Sequence, residues 1–195
     1  MVRSAVRRWP IGGVRLQATN GPPERPQDSP SLDGTRRGME RGLFLAQWIA
    51  MTTLSHKLIL PSDTNHHGTL YAGAMLRYIL EAGYATAWKH VGSGANLVLR
   101  RVLNMECLRP VPVGVVVELQ GAVIHRTAAY LVCGLFGTPL DCDRGPWAEA
   151  LLGFAQVSED GKLTHFPGTL PPIEHPSGDP WDRLATRFRK LVRIR

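Results

Sequence analysis

The sequence predicts an α+β domain in which an antiparallel sheet curls round one long central helix. Three observations carry this. Residues 72 to 91 form a proline-free run that is apolar nearly all round, and a helix of that kind has to be wrapped by other structure. Four runs of β-forming residues follow in a row, joined by short turn-forming stretches, which predicts antiparallel strands. Between residues 51 and 168 the central helix is the one element able to cover a face of that sheet.

Residues 1 to 50 combine Gly12-Gly13, Pro22-Pro23, Pro26 and Pro30 with eight arginines and show no sustained apolar period. Such a composition does not bury enough surface to offset its ordering entropy, so disorder is expected through about Gly38, with a short helix over 42 to 50. Arg3, Arg7, Arg8 and Arg15 precede the first acid, Glu24, which fits a mitochondrial transit peptide. The plainer reading is an over-long reading frame whose start is Met51, with the protein in the cytoplasm.

A first strand is expected over residues 52 to 60, closed by Pro61. Pro61, Ser62, Asp63, Asn65 and Gly68 then crowd into turn chemistry. The central helix should start near Ala72 or Gly73 and end near Val91, where Gly92-Ser93-Gly94 supplies a stop. Gly83, Ala85 and Ala87 suggest room beside it. Further strands are expected over 96 to 107, 115 to 125, 128 to 137 and 147 to 157. The Pro110-Val111-Pro112-Val113-Gly114 stretch turns the chain between the first two, Arg126-Thr127 between the next two, and residues 138 to 146 form a loop.

The organisation is therefore an extension over 1–50, a domain over 51–168, and a tail over 169–195. The tail is proline-rich to Pro180; then Trp181, Leu184, Ala185, Phe188, Leu191 and Val192 recur at helical spacing with arginines opposite. This basic amphipathic helix is expected to dock on its own domain or on a partner subunit, with an anionic membrane or nucleic acid as alternatives.

The formal charge of +7 suggests nucleic acid until it is located. Residues 1 to 50 carry +4 and residues 181 to 195 carry +5, which leaves −2 for the middle. The basicity belongs to the ends, and a folded core gripping a phosphate backbone is disfavoured. No apolar run approaches the roughly 20 residues of a membrane-spanning helix. Cys107, Cys133 and Cys142 lack metal-ligand spacing and read as reduced thiols. His66-His67 is a weak metal pair, because adjacent loop residues are expected to point apart.

The element order, together with Asn65-x-x-Gly68-Thr69-Leu70-Tyr71-Ala72-Gly73, resembles the hot-dog-fold acyl-CoA thioesterases. A second match is Met105-Glu106-Cys107-Leu108-Arg109-Pro110-Val111-x-Val113-Gly114, and weaker ones are His125-Arg126-Thr127 and the stretch from Gly161-Lys162 to Pro167. The resemblance covers about residues 53 to 167. It implies hydrolysis of a thioester to a free acid and CoA, without metal or redox cofactor. It also implies self-association as a homodimer or higher oligomer, with sites at the subunit interface.

The residues allow a physical account of such a site. Backbone N–H groups at a helix start favour negative charge, and those around Gly73 are placed to stabilise a thioester carbonyl as it becomes an oxyanion. Asn65, in the facing loop, would orient water or the carbonyl. His67, Gly68, Tyr71 and Thr127 join them as substrate-binding candidates, and Arg100, Arg101, Arg109 and Arg126 are candidates to meet CoA phosphates.

One departure from the family pattern matters. Two glycines stand at the helix start in the family, with a carboxylate seven residues after the second. Here the first is Ala72 and the seventh residue after Gly73 is Leu80; Glu81 comes next, about 100° further round the helix. Glu81 is the catalytic candidate, and an ion pair with Arg77 one turn earlier is its structural alternative. The loop also resembles the enediyne-pathway thioesterases, which manage without the helix carboxylate. A non-hydrolytic module that binds acyl-CoA or a similar lipid thioester is the alternative function.

Overall fold

A computed structural model describes residues 52–140, 145–173, 176 and 178–193. The transit-like extension, the short helix over 42 to 50, the Met51 start and Cys142 all lie outside them.

Strand β1 (Thr53–Leu58) runs into a single 3₁₀ turn at Pro61–Asp63, and helix α1 (Ala72–Val91) follows. Strands β2 (Leu97–Cys107), β3 (Val116–Arg126), β4 (Tyr130–Pro139) and β5 (Ala148–Gln156) come next, and helix α2 (Trp181–Arg193) closes the described chain. The expected helix ends hold. Tyr71 caps α1 in extended backbone, and Gly92 ends it at φ 84°, a left-handed value that favours glycine.

All strand pairs are antiparallel, in the order β1-β3-β4-β5-β2. Strands β2 and β3, consecutive in the chain, are not neighbours in the sheet: β2 pairs with β5 at the far edge. The connection between β2 and β3 is a crossing arm. Its two prolines rule out a tight ladder turn, and its backbone binds the loop before α1 instead: Leu70 N–H donates to Val111 O at 2.8 Å, Val113 N–H to Gly68 O at 3.1 Å and Gly114 N–H to Ile59 O at 2.8 Å.

Helix α1 touches all five strands. Met75, Tyr78, Ile79, Ala82 and Ala87 form one core with Leu119, Leu131, Leu135, Leu152 and Phe154. The supposed room beside the helix is absent at Gly83, where an added Cβ would stand 2.4 Å from Leu152 Cδ1. Gly83 serves close helix–sheet approach. Gly121 on β3 does the same for Thr86, whose hydroxyl turns back to Ala82 O at 2.7 Å.

The opposite face of the sheet has its own core, closed by α2. Trp181, Leu184 and Phe188 pack on Ala122, Val132, Phe136 and Leu151, with the Trp181 ring 5.0 Å from Phe136. Glu149 on β5, almost fully buried, is held by Arg183 and by Arg187 at 3.4 Å. Arg187 also meets Glu106 at 3.1 Å and Asn104 at 3.0 Å. The amphipathic tail helix thus docks on its own domain. No helix among the described residues is long and apolar enough to cross a membrane.

Candidate functional site

The loop from residue 63 to residue 71 is a hydrogen-bonded mount for the start of α1. Thr64 bridges to Leu70, Thr69 bridges to Pro112, and Gly68 takes φ 70° at the tip. Asn65 holds the turn together: its Oδ1 accepts from the backbone N–H of His67 at 2.9 Å and of Thr69 at 3.4 Å, and from the Thr69 hydroxyl at 3.3 Å. That oxygen is committed to the loop, which leaves the Nδ2 donors as the part of Asn65 available to a substrate. The tight turn also brings the His66 and His67 rings within 3.8 Å of each other, so the expectation that they point apart does not hold. Among the described residues no group of three or more His, Cys, Asp or Glu is placed to hold a metal.

Where the chain enters α1, the helix end is open. Met75 N–H is the first to bond back, to Tyr71 O at 3.0 Å, and the preceding N–H groups of Ala72, Gly73 and Ala74 are the orphan donors of the first turn. Ala72 and Gly73 are exposed, and no side chain caps the end. The Tyr71 ring lies against Gly73, so close that a Cβ there would come within 2.5 Å of it. Gly73 lines an open groove of about 640 Å³ together with Lys57, Asp63, Tyr71, Arg77 and Glu81.

Two carboxylates face this groove and differ in character. Asp63 is buried and accepts from Leu60 N–H at 3.1 Å and from Arg77 Nη2 at 3.2 Å. The Tyr78 hydroxyl, with these two donors, holds its carboxyl below the usual carboxylate range against the opposing effect of burial. A carboxylate so fully engaged is a poor base, and its place is to anchor the loop to α1. Glu81 is exposed, and among the described residues its one hydrogen bond comes from Lys57 Nζ at 3.3 Å. The expected partner Arg77 is drawn to Asp63 because the loop brings that carboxylate over the first turn of α1. Leu80, at the family's carboxylate position, packs against the core.

Eight residues separate Gly73 from Glu81, about 12 Å along the helix axis. The two therefore share a groove without meeting over one atom inside a single chain.

The other candidates disperse. Arg126 donates to Pro171 O at 2.7 Å and meets His90 Nε2 at 3.1 Å, near the far end of α1 and about 26 Å along its axis from Gly73. Burial, and secondarily Arg126, holds His90 below its ordinary pKa. Thr127 closes the β3–β4 hairpin through its N–H and hydroxyl to Tyr130 O. Arg100 and Arg101 line a cavity on the α2 side of the sheet, and Arg109 is exposed on the crossing arm. Sequence reasoning missed Lys57, Asp63 and Tyr78 in the groove, since the approach of β1 and the 3₁₀ turn to α1 is a tertiary fact with no local spacing.

Residues 67–136 match the model of the Thioesterase superfamily. Among solved structures, a hexameric acyl-CoA thioesterase is 27% identical over 73% of this chain and 89% of its own, with a TM-score of 0.61. An acyl-CoA hydrolase from Staphylococcus aureus, solved with butyryl coenzyme A, coenzyme A and coenzyme A disulfide, is 22% identical over 73% of this chain and 82% of its own, with a TM-score of 0.60. A hexameric thioesterase from Yersinia pestis is 24% identical over 60% of this chain and 97% of its own, with a TM-score of 0.55. No curated protein sequence matches the chain. The resemblance drawn from the sequence motifs is borne out, and the fold is the hot-dog fold.

Proposed function

We propose that this hot-dog protein, similar over residues 67–136 to the Thioesterase superfamily, hydrolyses acyl-CoA thioesters. The observation that carries the reading is the open start of α1. Amide N–H groups at Ala72 and Gly73 are exposed and unpaired, and Gly73 lines a groove that also holds the exposed carboxylate of Glu81. As water adds to a thioester, the carbonyl oxygen gains negative charge, and donors fixed beforehand stabilise it without reorganising. The positive end of the 20-residue helix adds to this.

Within this reading Glu81 is the proton acceptor for the attacking water. It is the groove carboxylate that a single half-buried lysine holds, and Asp63 is already engaged by three donors. The thiolate of CoA leaves as the tetrahedral intermediate collapses, giving the free acid. Tyr71 lines the groove, and in this reading it and the loop before it, with His67, Gly68 and the Nδ2 group of Asn65, receive the thioester arm; Arg109, exposed on the crossing arm, is the cation proposed for the CoA phosphates.

The 12 Å between Gly73 and Glu81 is bridged in this proposal by a second copy of the chain. Leu76, Tyr84 and Trp88 stand exposed along α1, with Leu80 partly buried in the same stripe. Leu99 and Val102 are exposed on the adjoining free edge strand β2, and their register partners Phe154 and Leu152 belong to the α1-side core. An apolar stripe beside an unpaired strand edge is the surface a homodimer covers. The cytoplasm remains the proposed location.

Glu81→Gln tests the assignment. Thiol release from a panel of acyl-CoA substrates should fall by at least about a hundredfold, the usual contribution of a general base. Unchanged turnover would remove Glu81 from the mechanism. The lysine pairing of Glu81 and the leucine at position 80 favour a second reading, a non-hydrolytic acyl-CoA binder, which predicts saturable binding without thiol release by the parent protein.

A further inference from the structure

A second cavity, also about 640 Å³, lies on the opposite face of the sheet, between the C-terminal half of α2 and strands β2, β3 and β4. Its size is within the roughly 300–1,000 Å³ of small-molecule sites. Three irregularities of the sheet converge on it. In β2 the register passes from Leu99 opposite Phe154 to Arg101 opposite Gly153, so Arg100 is an extra residue. Strict alternation would send Arg100 and Arg101 to opposite faces; the bulge lets both line the same cavity. A second bulge in β2 leaves Leu103 extra, and one in β3 leaves Ile124 extra and sets His125 opposite Val132.

The register makes one row across the outer face: Arg101, Gly153, Val132, His125. Gly153 is the gap in that row, and the Tyr130 ring fills it; a Cβ on residue 153 would fall 1.7 Å from the Tyr130 hydroxyl oxygen. The phenol is thereby brought beside the two arginines. Among the described residues neither Arg100 nor Arg101 makes a hydrogen bond or ion pair, although Arg183 and Arg187 on the same face are both paired. The far wall is apolar, formed by Phe188 and Leu191 of α2, with the His125 ring 4.9 Å from that of Phe188.

From the two unpaired guanidinium groups, the phenol beside them and the apolar wall opposite, we infer that this cavity is a binding site for a single-chain amphiphile with an anionic head. Arg100 and Arg101 take the head, a carboxylate or a phosphate; the α2 side chains take the alkyl tail. The site is separate from the α1 groove, and the inference does not rest on thioester hydrolysis. An acid-headed ligand here would hold α2 against the sheet.

Calorimetric titration of the full chain with decanoate, decyl phosphate and 1-decanol tests it. Decanoate or decyl phosphate should bind saturably, with the tighter of the two identifying the head, and 1-decanol at least tenfold more weakly. Arg100→Gln with Arg101→Gln should weaken the anion at least tenfold. Val192→Trp, at an exposed position on the cavity rim, should do the same by filling the tail space, and keeps the test decisive if the double variant fails to fold. Equal binding of alcohol and anions would overturn the inference. So would undiminished anion binding in whichever variants fold. Absence of thiol release would sink the hydrolytic reading and leave this one standing.

Discussion

Replacing Arg183 by methionine keeps the alkyl stem of the side chain and removes the guanidinium that neutralises Glu149. The Glu149 side chain is 1% exposed, and its Oε1 accepts from Nε of Arg183 at 3.1 Å and also from Nη2. Removing one partner of a buried pair costs about 3–5 kcal/mol, because the remaining charge stays desolvated. Two features lower that figure here. Arg187 still stands 3.4 Å from the other carboxylate oxygen, and the Arg183 side chain is 40% exposed, so water reaches the vacated position. A loss of about 2–3 kcal/mol is expected, or roughly 4–12 °C in melting temperature for a domain of this size. Glu149→Gln added to Arg183→Met removes the stranded charge, and the double variant should recover about 1 kcal/mol or more relative to the sum of the singles. Urea unfolding at pH 7, followed by tryptophan fluorescence, reads this out, since Trp181 is buried at the start of α2. A single variant within about 0.5 kcal/mol of the parent, or strict additivity, would refute the view that Glu149 is the electrostatic anchor of α2.

Further outcomes follow from the packing and from two half-buried histidines. Gly83→Ala should destabilise by up to about 2 kcal/mol: overpacking against the fully buried Leu152 offsets or exceeds the roughly 1 kcal/mol that alanine gains over glycine in a helix, and a stabilised variant in urea would contradict the close contact. His90 and His125 are both held below their ordinary value near 6.5, by burial first and for His90 by Arg126 second. Their neutral forms are favoured by folding, so this stability is complete above about pH 6.5 and is lost as the pH falls through that value toward their folded pKa values. Melting temperature should therefore drop between about pH 7 and pH 5, less steeply in His125→Phe; an unaltered slope would show that His125 is not a source of it. The depressed Asp63 acts in a separate window, its contribution being lost only as the pH falls below its ordinary value of 3.8.

Much of the fold was legible because its signals are local. The apolar run of α1, the glycine at its end and the spacing of Trp181, Leu184 and Phe188 announce themselves over a few residues, and the structure places each as expected. Strand order was not legible, since the pairing of β2 with β5 depends on where the Pro110–Gly114 arm is tied down. The bulges at Arg100, Leu103 and Ile124 are likewise settled by register with neighbouring strands. Within the site, Asn65, Gly68, Tyr71 and Gly73 fall together because they share one loop and one helix turn. Arg126 and Thr127 do not join them, since a hairpin tip goes wherever its strands carry it, here toward the end of α1 marked by His90.

The most direct measurement on the central claim compares thiol release from acyl-CoA by the parent protein and by Ala72→Pro. Proline is favoured at the first helical residue, Tyr71 before it is already extended, and at residue 72 it deletes an orphan N–H without breaking an intrahelical bond. The parent should release thiol, and the variant, melting within a few degrees of it, should turn over about 10²–10³-fold more slowly, as for loss of one oxyanion donor. Equal rates in the two proteins, or no release by the parent from any acyl-CoA, would contradict the assignment of the start of α1 as the carbonyl-polarising element.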